Sequence, residues 1–219
     1  MKKGKSSAPT AYLKSKNAIS LWSFIGVHLA IFLSLSIGKQ WNSASVNHFW
    51  GRITTKDGLI AACMPIITIV LTGLLGDTGK ARLIFWRWRD PLPGCRVFTE
   101  LMAADPRIDH GILKTKHGTL PSEPHAQNAL WYRLYKKHLA KANVSESHRI
   151  YLLMRDMTVV SAIFAVLLPV GVFMVSVDRQ VVIIYSAALI AEYMILATSA
   201  RNYGERFVLN VLAEEGNAP

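Results

Sequence analysis

The chain has 219 residues, about half of them hydrophobic, and carries 25 Lys and Arg against 14 Asp and Glu. A soluble protein this basic would read as a nucleic-acid binder, but here the apolar residues gather into four blocks with most charges between them. That segregation excludes an ordinary soluble domain and points to membrane insertion, because backbone in hydrocarbon has to satisfy its hydrogen bonds within helices. Cys63 and Cys95 fall in different compartments and support neither a disulfide framework nor a zinc site.

Residues 1–19 form a basic N-terminus with five lysines. The first apolar block, 20–38, contains no Asp, Glu, Lys or Arg. It is longer than the apolar core of a secretory signal, and no small-x-small site follows closely, so an uncleaved span is expected. The second block covers 58–75, the third 157–177 and the fourth 180–200. Each approaches the roughly 20 residues needed to cross ~30 Å of hydrocarbon. Only Asp178 and Arg179 separate the last two, which predicts a tight hairpin. The expected fold class is therefore an all-α membrane protein: a four-helix bundle of hairpins 20–75 and 157–200, a mainly helical module at 76–156 and a tail at 201–219.

Alternating sides across four spans puts 21 Lys and Arg on one face and 4 on the other. By the positive-inside rule, both termini and the 76–156 module face the cytoplasm, as in a bacterial inner-membrane protein.

Two ionisable residues lie within spans, where charge is costly and normally faces the bundle interior. His28 and Glu192 each stand eight residues from the cytoplasmic end of a span, about 12 Å deep at ~1.5 Å per residue. Equal depth permits a His28–Glu192 pair. It would serve as an interhelical hydrogen bond or as a proton- or ion-sensitive site; alternatively Glu192 faces a water-filled crevice. Pro65 and Pro169 lie at similar depths in the outer halves of their spans and predict kinks, since proline removes a hydrogen bond to the preceding turn.

The 76–156 module opens on Trp86, Arg87, Trp88 and Arg89. Trp and Arg at this depth anchor a helix at the headgroup layer and attract anionic lipid. The alternative groups Arg87, Arg89 and Arg96 into an anion pocket. Asp90-Pro91-Leu92-Pro93-Gly94 stops any helix, and 97–103 suits two helical turns. A loop then runs to Gln127. Within it Asp105, Asp109 and His110 lack a helical ligand spacing, so pairing with Arg107 and local loop bonds are expected in place of a metal.

Residues 127–142 form an amphipathic helix, with Leu130, Trp131, Leu134, His138 and Leu139 on one side and Arg133, Lys136, Lys137 and Lys141 on another. Its basic, aromatic-bearing face suits anionic lipid and, less readily, a nucleotide or nucleic acid. Arg133 and His138 have an R-x4-H spacing that resembles HEPN-type ribonucleases. Leu134 stands where that family commonly has a polar residue, and no activity is carried over. Asn143 and Glu146 resemble a capping box. From there one helix of about 33 residues, near 50 Å long, is predicted through His148, Arg149, Tyr151 and Arg155 into the third span.

No Walker loop, G-x-S-x-G or H-E-x-x-H occurs, which leaves no catalytic constellation, cofactor or metal to expect. The favoured expectation is an oligomeric inner-membrane sensor or effector, of the plan seen in small prokaryotic defence effectors. Its basic module would bind a soluble partner protein or an anionic ligand and alter the bundle. A non-conducting anchor or assembly subunit is the alternative. A membrane-embedded enzyme, with Arg87, Asp109, Arg133 and His148 converging on one pocket, is the third.

Overall fold

The computed structural model describes residues 9–37, 55–174 and 178–218, and no strand occurs among them. Helix α1 spans Pro9–Ile37, α2 Thr55–Leu74 and α3 Asp77–Phe85. A short irregular helical run follows, then α4 (His110–His117), α5 (Pro124–His138), α6 (Ala142–Met174) and α7 (Arg179–Asn217). Three helices are long and apolar enough to cross a membrane: α1 over Tyr12–Leu35, α6 and α7. In α2 the described apolar helix is Pro65–Leu74, about 15 Å of rise and half a bilayer core. Length and apolarity thus account for three of the four expected spans.

At 33 and 39 residues, α6 and α7 far exceed the roughly 20 that cross a bilayer. Their apolar parts are 157–174 and 180–200, and the polar remainder of each helix belongs elsewhere. The chain accordingly divides into two compact units. An apolar unit takes residues 18–76 and 156–196, and a polar unit takes 1–17, 77–155 and 197–219.

In the apolar unit Ile25 and Phe32 of α1 pack on Val160, Phe164, Leu168 and Val172 of α6 and on Tyr185 and Leu189 of α7. The outward faces are apolar too: Ile19, Val27, Val166, Phe173, Ile183 and Ile195 are all exposed. Apolar residues outside, with His28, Thr158 and Ser161 buried inside, reverse the soluble pattern and suit a hydrocarbon solvent.

The polar unit closes around Trp131, Leu134 and Tyr135 of α5, Val144 and Tyr151 of α6, and Phe207, Val208, Val211 and Leu212 of α7. The last four overturn the expectation of a tail after residue 200. Helix α7 runs on to Asn217 because a Phe207-Val208-x-x-Val211-Leu212 stripe gives it an apolar face to bury. The loop expected before Gln127 likewise contains a helix, α4, whose Leu113 is fully buried. Asp109 caps it, accepting from Gly111 N at 2.7 Å and Ile112 N at 3.2 Å.

The helical turns expected over 97–103 are distorted: Val97–Leu101 is a π turn between 3₁₀ segments at Pro93–Arg96 and Met102–Ala104. Buried Gln127 holds this segment to α5. Its Oε1 accepts from Phe98 N (3.0 Å) and Thr99 N (3.3 Å), and its Nε2 donates to Ser122 O (2.9 Å). Asn143 is not the cap of α6, which starts one residue earlier at Ala142. Its Oδ1 accepts from Asn210 Nδ2 at 3.3 Å, and Glu146 pairs with Arg149 at 2.6 Å.

Candidate functional site: an aromatic cavity in the polar unit

The polar unit holds a partly open cleft of about 380 Å³. Aromatic rings line it beside the aliphatic Leu92, Pro93, Leu152 and Val208: Trp131, Tyr132 and Tyr135 from α5, His148 and Tyr151 from α6, and Phe207 from α7. Tyr132 is half exposed and the other five are buried. Polar groups are few: Lys14, Asp77, Asn128 and Arg155. An apolar wall with a few converging polar groups is the usual make-up of a small-molecule site.

Helical spacing explains the wall. Trp131 and Tyr135 lie one turn apart on α5, and their rings stack at 5.7 Å with planes 8° apart. His148 and Tyr151 are likewise neighbours on one face of α6. Phe207 fixes both sets: it stacks on His148 at 4.5 Å and meets Trp131 edge-on at 5.4 Å. The Trp131 indole N–H donates to Val208 O at 3.2 Å, so that ring is clamped. Gly94 closes one side. A Cβ there would lie 2.3 Å from Asn128 Oδ1 and 3.2 Å from the Trp131 ring, and only glycine allows the 3₁₀ turn to approach α5 this closely.

The electrostatics are one-sided. Burial, reinforced by the charge of Arg155, pushes His148 down to about 4, so its ring is neutral near pH 7. Its Nδ1 lies 2.9 Å from the Tyr135 hydroxyl, which burial pushes up to about 12 and keeps protonated. Arg155 is buried and donates to Asp77 Oδ1 at 3.2 Å, but the Asp77 side chain is 82% exposed. Lys14 is exposed and forms no ion pair among the described residues.

A second polar cluster surrounds Glu215, 1% exposed near the end of α7. His138 Nε2 donates to its Oε2 at 2.5 Å, and Lys137 Nζ donates to Oε1 at 2.9 Å. His117 Nε2 reaches Oε1 at 3.1 Å. Burial works to raise the carboxyl, but the hydrogen bonds from His138, Lys137 and His117, with the charge of Lys137, outweigh it and hold Glu215 down at about 2. Lys116 finishes the helix end, donating to Glu215 O and Ala218 O. Glu215 escaped the sequence reading because its partners lie 77 to 98 residues away.

In the apolar unit His28 and Glu192 meet, with Nε2 2.9 Å from Oε2. His28 Nδ1 faces the Phe24 carbonyl at 2.9 Å, and because a carbonyl only accepts, Nδ1 carries hydrogen. The other bond then needs a second proton, held either by Nε2 or by the carboxyl. In both forms the pair has no net charge, which suits an apolar setting. Pro65 lies within α2 and Pro169 within α6.

The remaining sequence candidates disperse. Trp131, His148 and Arg155 share the cavity, whereas Arg87, Arg133 and Asp109 do not line it. Arg133 is exposed, and the His138 ring is committed to Glu215. Arg96 is buried and bound to Glu205 at 2.7 Å and Glu100 at 3.4 Å, while Arg87 pairs with Glu100 and Arg89 is exposed. The guanidinium of Arg96 therefore already holds its anions. Trp88 is 80% exposed; Trp86 takes a left-handed backbone (φ 51°) with Arg201 4.4 Å from its ring centre. Arg107 binds Asp105 at 2.7 Å and Asn210 at 3.0 Å. No group of three His, Cys, Asp or Glu side chains able to hold a metal occurs among the described residues.

No protein-family model matches the chain, and no curated protein or solved structure is significantly similar to it.

Proposed function

We propose that this chain is a multi-pass membrane sensor or effector whose cytoplasmic helical module binds a soluble partner or an anionic ligand and changes the state of the membrane bundle. The observation that carries this reading is that α6 and α7 serve both units without a break. His148, Tyr151 and Arg155 precede the apolar part of α6, and Phe207 follows that of α7. Occupation of the cavity therefore acts on the two helices whose other halves pack the bundle core.

Connectivity supports a reading with four spans. Residues 9–17, 77–155 and 197–217 pack in one compact unit, with Asn17 bonded to Arg149 at 2.8 Å and Trp131 to Val208. If α1 crosses the bilayer, the chain has to return before Asp77, and α2 is the helix available to do so. The 21-to-4 division of Lys and Arg then puts the polar unit, with both flanking ends, on the cytoplasmic side of an inner membrane. Exposed Trp88, Arg87 and Arg89 suit contact with anionic headgroups there.

Phe32, Phe164, Leu168 and Val172 are fully buried and fill the core of a single bundle. Any conducting path therefore runs between copies, which makes the effector a homo-oligomer; a role in antiviral defence is one setting for such a device. The same packed core favours the second reading, a non-conducting anchor. Expression in a bacterial host with a potential-sensitive dye tests the difference. Depolarisation is expected, and a membrane that stays polarised at comparable protein levels leaves the anchor.

A further inference from the structure

The loop that leaves α3 has an uncommon backbone. Trp86 and Asp90 both take left-handed conformations, at φ 51° and 45°, which cost energy for residues with side chains. Between them the chain turns back on α3, and Arg82 Nε donates to Trp88 O at 3.1 Å. The turn borders a groove of about 430 Å³, lined by Thr78 and Arg82 of α3, by Trp88, Arg89 and Asp90 of the loop, and by His125 of α5.

The donors of this groove are unspent. Arg89 is exposed and makes no hydrogen bond or ion pair among the described residues. Both Nη atoms of Arg82 and the Thr78 hydroxyl are likewise without a hydrogen bond there. The Asp90 carboxylate faces the His125 imidazole at 3.6 Å and pairs with neither arginine. Two guanidinium forks and a hydroxyl therefore stand ready for the oxygens of a phosphate, which arginine holds by paired hydrogen bonds. Arg87 differs: it pairs with Glu100 at 3.4 Å and does not line the groove.

Depth indicates where such a phosphate comes from. Arg201 is the first residue after the apolar stretch 180–200 of α7. It donates from Nη2 to Ile84 O at 3.0 Å, and its guanidinium lies 4.4 Å from the Trp86 ring centre. The loop is thus pinned to α7 at the level where that helix stops being apolar, which is the level of the headgroup layer. The Trp88 ring has the Arg82 guanidinium at 5.9 Å, yet the residue is 80% exposed. An indole left so open is out of place beside a soluble ligand and in its usual place at a bilayer surface.

We propose that this groove binds the phosphate of an anionic phospholipid through Arg82, Arg89 and Thr78, with the Trp88 indole beside it in the headgroup layer. The inference rests on reading the polar unit as lying against the cytoplasmic face of a membrane, and it puts a defined site in place of general attraction to headgroups.

Native mass spectrometry of the purified full-length chain in detergent, titrated with short-chain phosphatidylglycerol or phosphatidylcholine, tests it. Glycerol 3-phosphate and inorganic phosphate serve as competitors. One tightly held phosphatidylglycerol per chain is expected, above the looser lipid of either type that apolar helices retain. Arg89→Ala weakens it roughly tenfold, the usual loss for one charge-assisted hydrogen bond. Arg82→Lys, which keeps the charge and loses the fork, also weakens it, and Arg87→Ala leaves it unchanged. Thermal melts establish that the variants keep the fold; Arg89, with no partner among the described residues, is the one whose loss the fold tolerates best. Absence of a saturable phosphatidylglycerol overturns the proposal. So does equal retention of the two lipids, or an equal loss from all three substitutions, which means diffuse attraction. Displacement of the lipid by either soluble phosphate at matching concentration overturns it too, in favour of a free-anion site. Dye measurements separate this from the functional reading. Lipid retention by a chain that does not depolarise its host keeps the site and removes the effector, and depolarisation by a chain that retains no lipid does the reverse.

Discussion

His138 donates its Nε2 hydrogen to Glu215 across 2.5 Å, joining the last turn of α5 to the last turns of α7 through two buried side chains. Lys137, on the adjacent turn position, holds the other carboxylate oxygen. A carboxylate this buried and this well paired is among the costliest places in the molecule to lose a charge.

Glu215→Gln is therefore expected to destabilise the polar unit by about 3 kcal/mol, read as a lowered thermal midpoint of the near-ultraviolet circular dichroism signal in detergent. The acid dependence has a definite sign. The folded value near 2 lies below the ordinary 4.5, so the stabilisation is complete above pH 4.5 and drains away as pH falls toward 2. The Gln variant should lose the Glu215 share of that slope and keep the part due to Asp105, Glu123 and Glu146, which their own hydrogen bonds also hold below the ordinary carboxyl value. A wild-type midpoint that does not move between those limits would sink the assignment.

His148 predicts a second, earlier window. Its folded value near 4 lies below the ordinary 6.5, so above pH 6.5 the ring is neutral folded or unfolded and contributes no pH dependence. As pH falls from 6.5 to 4 the unfolded chain gains a proton that the folded one refuses. Stability then drops by about 3 kcal/mol, at ~1.4 kcal/mol per pH unit. His148→Asn, which keeps a polar atom near the Tyr135 hydroxyl, should remove this step and leave the Glu215 step in place. Loss of both steps together would mean that a single global event governs them.

For the bundle, Glu192→Gln should preserve assembly, because the Gln amide can donate to His28 Nε2 while Nδ1 stays bonded to Phe24 O. Glu192→Leu removes the bond, and the coupling with His28→Ala in a double-mutant cycle should be about 1 kcal/mol, as for other interhelical bonds in membranes. Detergent-denaturation midpoints read both. If Gln abolishes depolarisation without altering assembly, the pair's proton is needed for function and its role is more than structural.

Gln127→Leu tests how the π turn is held. The substitution keeps the volume but strands the Phe98 N–H, and Thr99 N–H loses its acceptor. A loss of about 1–3 kcal/mol for the stranded buried group is expected, with faster proteolysis around residues 97–104. Unchanged hydrogen exchange at Phe98 would show that the segment is held by packing alone.

The features legible in the sequence share a short range. Apolar blocks, the charge division and the unbroken run from the 140s into the third span depend on composition within a few turns, and α6 is 33 residues long as its pattern implies. Equal depth of His28 and Glu192 could be counted along two helices. Their meeting could not, because rotation about each helix axis is set by packing of Phe164, Phe24 and their neighbours. Val211 and Leu212 were readable as an apolar stripe, yet their position after the last span suggested a tail.

What the linear chain determined by itself is therefore the membrane class, the long apolar helices and the separation of apolar from basic segments, since each follows from local hydropathy and backbone satisfaction. Only tertiary structure decided that Phe207 joins Trp131 and His148 around one cavity, that Arg96 is held by Glu205, and that Glu215 is gripped by residues from α4 and α5. Those relationships join side chains scores of residues apart. They exist because buried charges and rings have to find partners in space, wherever along the chain those partners occur.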